Sequence, residues 1–63
     1  MTKLEKMYQE IATNLEQGMT DLEKFEDGNM SAGTRVRKTM QIVKTLAQQI
    51  RVEVQERKSA VAN

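Results

Sequence analysis

The chain has no cysteine, histidine, tryptophan or proline, and a single tyrosine and a single phenylalanine among its 63 residues. Missing cysteine excludes a disulfide scaffold. Missing cysteine and histidine together exclude thiolate or imidazole metal sites and the Cys–His and Ser–His nucleophile pairs. No apolar run approaches the roughly 20 residues that cross a bilayer, and no apolar segment follows Met1 as in a signal peptide. A cytoplasmic protein without membrane contact is expected. With no proline, nothing forbids long helices.

Sixty-three residues make one small domain, and 38% of them are apolar. A lone protein of this size buries too little apolar surface to offset its lost chain entropy comfortably, so self-association is expected.

What is present is helical periodicity. Leu4, Tyr8, Ile11, Leu15, Gly18, Leu22 and Phe25 alternate spacings of four and three, and so do Val36, Met40, Val43, Ala47, Ile50 and Val54. Between the two stripes, Asp27-Gly28-Asn29 tolerates the positive φ of a helix stop, and Ser31 is a good N-cap. The spacing predicts helices over about 2–27 and 31–58, a turn at 28–30 and a frayed tail at 59–63. The fold class is therefore all-α, an antiparallel two-helix hairpin. Met7, Met19, Ile42 and Leu46 lie beside the stripes, so one hairpin covers only part of its own apolar width. A second copy would complete a homodimeric four-helix bundle. The expected oligomer core is Leu4, Tyr8, Ile11, Leu15, Leu22, Phe25, Val36, Met40, Val43, Leu46, Ala47, Ile50 and Val54. Gly18, on the first stripe, marks either a close helix crossing or a kink that shapes the dimer, or else a tolerated substitution.

Charge is divided between the halves. Residues 1–30 carry three lysines against seven acids, a net of −4, whereas residues 31–63 carry seven basic residues against two acids, a net of +5. Arg37, Lys44, Arg51 and Lys58 stand seven apart in one row, with Gln41, Gln48 and Gln55 alongside and Lys38 just beyond. At helical rise the row runs about 32 Å, near one turn of duplex DNA at about 34 Å. Such a row could meet successive phosphates while the glutamines add uncharged hydrogen bonds. It could equally pair with acids such as Glu5, Asp21 and Glu26 of helix one, as charged positions beside a coiled-coil seam commonly do.

The start of helix two, Ser31-Ala32-Gly33-Thr34-Arg35-Val36-Arg37-Lys38, reads as a phosphate grip. Free helix N–H groups and the macrodipole favour an anion there, Gly33 admits it, and three cations surround it. Against this stands an ordinary serine cap with an incidental glycine. Glu10 with Glu16, or Glu23 with Asp27, could in principle hold a cation, but a solvated acidic face explains them better. No catalytic group set, metal, cofactor or small-molecule substrate is expected, and the chain does not read as an enzyme.

Gly28-Asn29, Ala32 to Lys38, Met40-Gln41, Lys44, Leu46-Ala47-Gln48 and Ile50-Arg51 together resemble the chlamydial-type histone-like proteins, linker-histone-like proteins of the bacterial nucleoid. The resemblance is most specific from Gly28 to Lys58. It implies non-enzymatic DNA binding and compaction, with Gly33, Thr34, Arg35, Arg37, Lys38, Lys44 and Arg51 at the motif positions. The best-known members add a long Lys- and Ala-rich C-terminal tail, which does not follow here before Asn63. Either the helical part itself grips DNA, or it only oligomerises.

The expected function is sequence-tolerant DNA binding in the nucleoid through Ser31, Gly33, Thr34, Arg35, Arg37, Lys38, Gln41, Lys44, Gln48, Arg51 and Lys58, by a homodimer or higher oligomer that compacts or bridges duplex DNA. RNA offers the same phosphates and stays open as a partner. The alternative is a helical oligomerisation module that does not touch DNA.

Overall fold

The computed structural model describes residues 1–61, which form two antiparallel helices, α1 (Lys3–Glu26) and α2 (Met30–Val61). The hairpin measures 54 × 19 × 11 Å, a rod one helix layer deep. Neither helix is long and apolar enough to cross a membrane among the described residues.

Local chemistry sets each boundary. The α1 start is a capping box: Glu5 N–H donates to Thr2 Oγ1 at 3.1 Å, and Thr2 N–H donates to Glu5 Oε1 at 2.8 Å. Thr2 and Glu5 carry the T-x-x-E signature of this cap in the sequence itself. At the other end Gly28 takes φ +101°, with its N–H on Phe25 O at 3.0 Å and Asn29 N–H on Lys24 O at 3.0 Å. That crossed pair is a Schellman stop, which needs a residue without Cβ at this position.

The α2 start differs from expectation. Asn29, not Ser31, caps it: Asn29 Oδ1 accepts from Ala32 N–H at 3.3 Å, and Ser31 Oγ donates to the same oxygen at 2.8 Å. Because α2 begins at Met30, the connection is Asp27–Asn29. The helix also continues through Ser59–Val61, where fraying was expected; residues 62 and 63 of the expected tail lie outside the described residues.

The helices oppose each other in a simple register. Lys3 Nζ meets Glu53 Oε2 at 3.9 Å, Asp21 Oδ1 accepts from Arg35 Nε at 2.7 Å, and Gly18 faces Thr39. Opposed residue numbers thus add to about 56 or 57, and α2 runs past the start of α1 by its last two turns. The α1–α2 seam is not centred on the expected stripes. On α1 the half-buried positions are Leu4, Met7, Ile11, Asn14, Gly18 and Asp21. On α2, Ala32 and Leu46 are buried, and Gly33, Val36, Thr39, Val43, Ala47, Ile50 and Glu53 are half-buried.

Relative to the expected stripe, each helix has turned so that Tyr8, Leu15 and Leu22, with Met40 and Val54, fall outside the contact. Tyr8 is 72% exposed, Leu15 46% and Met40 47%. Small residues explain the choice. A Cβ on Gly18 would sit 3.2 Å from the Thr39 methyl, and one on Gly33 would sit 2.7 Å from the Phe25 ring. These glycines let the backbones close on one side of the stripe, and the other side is left uncovered.

Candidate nucleic-acid interface

Arg37, Lys44, Arg51 and Lys58 occupy one outer edge of α2, and all four are exposed. Among the described residues none of them has an ion pair or side-chain hydrogen bond within the chain. Lys38 is likewise exposed on the adjoining outer surface. Asp21, one of the acids available to neutralise the row, bonds Arg35 instead. Glu5 turns to its own N-cap, which holds its carboxyl below the usual glutamate range because Thr2 N–H donates to the ionised form. Inside a single hairpin the row therefore faces water.

Beside it, Gln41 and Gln48 are exposed, and Gln55 Nε2 donates to Ser59 Oγ at 3.4 Å. This face offers cations at heptad spacing with neutral donors between them.

The expected phosphate grip does not assemble around Gly33. That residue faces inward onto the Phe25 ring, and its missing side chain serves helix packing, not a ligand. Arg35 is drawn onto α1 by Asp21, and the Ser31 hydroxyl is used by Asn29. Only Thr34, Arg37 and Lys38 of that cluster stay exposed without an intrachain side-chain partner. Two further cations are paired: Arg57 Nη2 lies 3.0 Å from Glu53 Oε1, and Lys3 reaches the same carboxylate. No group of three acidic side chains that could hold a metal ion occurs among the described residues.

Next to the basic row lies the uncovered apolar strip. Leu15, Gly18, Met19 and Leu22 of α1 and Val36, Thr39 and Met40 of α2 line a groove of about 380 Å³. The far edge of the strip, on α1, carries Glu16, Glu23 and Glu26, all exposed. The hairpin thus has one open face with cations along one border and carboxylates along the other. Composition revealed the charge split, but only the register shows that both charged rows border the same apolar strip.

No curated protein and no solved structure matches the chain. Residues 1–60 match a family model described as histone H1-like protein Hc1. That match spans both helices and the whole basic row, in agreement with the resemblance carried by Gly28 to Lys58. The chain belongs to the histone H1-like Hc1 family, a family of architectural, DNA-binding nucleoid proteins and not of enzymes.

Proposed function

We propose that this protein binds duplex DNA along its phosphate backbone with little sequence preference and compacts it in the nucleoid, using the outer edge of α2. The observation that carries this is the row Arg37, Lys44, Arg51 and Lys58, exposed and unpaired within the chain over about 32 Å. Lysine and arginine so spaced displace condensed counterions from successive phosphates, and Gln41 and Gln48 add uncharged hydrogen bonds. Thr34 and Lys38 extend the contact. Ser31, Gly33 and Arg35 are removed from the contact set because each is engaged within the hairpin.

A salt titration on random duplex DNA tests this. Four phosphates met per hairpin give a slope of log affinity against log salt of about −3.6. Arg37→Glu with Arg51→Glu should abolish binding. A slope near zero, or no binding at low salt, overturns the proposal; equal affinity for structured RNA would widen the partner to nucleic acid in general.

A second reading has its own support. The open apolar face favours self-association into a homodimeric four-helix bundle, and in that reading the same double reversal breaks the oligomer. Sedimentation of the variant beside the binding assay separates the two.

A further inference from the structure

Among the described residues only Ala32 and Leu46 are buried in the hairpin, while Tyr8, Leu15, Met19, Leu22, Met40 and Val54 remain exposed, all but Met19 at heptad positions of one face. So thin a core is not enough for a stable fold of this length, and the strip needs a cover. Its borders specify that cover. One border is basic and belongs to α2; the other is acidic and belongs to α1. The complement of such a face is the same face turned about a two-fold axis parallel to the helices.

We infer that the open face docks a second copy of this chain with α1 of each lying on α2 of the other, and that the acidic border of α1 thereby competes with DNA phosphate for the basic row. The competition rests on the DNA reading above; the docking does not.

The register fixes the pairing. With the axis parallel to the helices, equal heights oppose each other, so the numerical relation within the hairpin also holds between the copies. Glu5 then stands level with the partner's Arg51, while Glu16 and Glu23 come within about a helical turn of the partner's Lys44 and Arg37. Lys58 projects beyond the start of α1 and has no acid opposite. Both turns lie at the same end, and every neighbouring pair of helices is antiparallel. Turning the second copy end for end would instead set α2 on α2, row against row, with like charges along the whole border.

Carboxylates at the rim of this dimer do chemically what phosphates do on DNA. They offer anionic oxygens to the same guanidinium and ammonium groups along the same border. DNA binding and tight pairing then draw on one set of cations and weaken each other by the same factor.

The experiment uses the full chain as wild type, as Glu16→Gln/Glu23→Gln, and as Glu10→Gln/Glu56→Gln. The last pair removes equal charge from the face away from the strip, where Glu10 borders Ile42 and Gln49, and Glu56 borders Gln49 and Val52. Sedimentation equilibrium measures pairing, and fluorescence anisotropy on a short random duplex at fixed salt measures DNA affinity. Glu16→Gln/Glu23→Gln should weaken pairing about tenfold and raise DNA affinity several-fold above the Glu10→Gln/Glu56→Gln control, from four rim ion pairs of modest strength. A monomer at all concentrations, or pairing unchanged by the rim substitutions, overturns the docking. Equal gains in DNA affinity from both double variants overturn the competition. If none of the three binds duplex at low salt, the DNA reading falls and takes the competition with it. The sedimentation arm then still decides the dimer.

Discussion

Two glycines carry different conformational duties, and each implies its own measurement. Gly28 ends α1 at φ +101°, a value that side chains with a Cβ rarely adopt. Open space surrounds it, so Gly28→Val is penalised by backbone conformation alone. Gly28→Val should cost about 1–2 kcal/mol in urea unfolding, all of it from the strained turn. Gly33 is the reverse case: its backbone is helical, but a Cβ would press to 2.7 Å from the Phe25 ring. Gly33→Ala should destabilise by about 1–3 kcal/mol through displaced packing, and DNA affinity measured on the folded fraction should stay at the wild-type value. A fall in affinity with stability intact would restore the phosphate role that the sequence suggested for this residue. Among the charged residues, Arg35 shows why a list of cations is not a list of contacts. Its bond to Asp21 joins residues fourteen apart, a pairing that no helical spacing displays.

Each helix has a legible beginning, and α1 has a legible end. The Thr2–Glu5 capping box makes the α1 start sensitive to acid. Its carboxyl titrates below the ordinary glutamate range, so folding is favoured while Glu5 is ionised. This contribution is fully present above the unfolded value of about 4.3 and is lost as the pH falls through the lowered folded value. Circular dichroism on acidification below about pH 4 should show loss of helix, and Glu5→Gln should remove that part of the titration. Element type was open to inspection because 4-3 periodicity, Asp-Gly-Asn and the absence of proline all act over a few residues. Which half of each apolar stripe turns inward was not. Leu4, Ile11 and Gly18 are common to both possible seams. The choice between Met7-Asn14-Asp21 and Tyr8-Leu15-Leu22 depends on how closely Gly18 and Gly33 let the other helix approach.

For the whole molecule, the 54 × 19 × 11 Å rod has far more edge than interior. Its stability should therefore rise with protein concentration, because any partner that binds the folded hairpin and not the unfolded chain adds to it by mass action. Melting followed by circular dichroism across a hundredfold concentration range should move the midpoint upward by several degrees; a constant midpoint means that the hairpin stands alone. Family membership supplies DNA as the partner of the architecture. The exposed basic row supplies a chemical means of contact, and the acidic border of the same face supplies a rival to it.

The amino-acid sequence alone determined two helices, their hairpin connection, the division of charge between them and the spacing of the basic row. All of these depend on residues within a few turns of one another, where rise and periodicity convert number directly into position. Tertiary structure alone decided that Arg35 is taken by Asp21, that Gly33 serves the Phe25 ring, and that Tyr8, Leu15 and Met40 are left uncovered by the hairpin's own helices. Those outcomes depend on how two backbones approach across a gap, a distance set by the smallest residues on the facing surfaces, and heptad spacing is the same on either side of them.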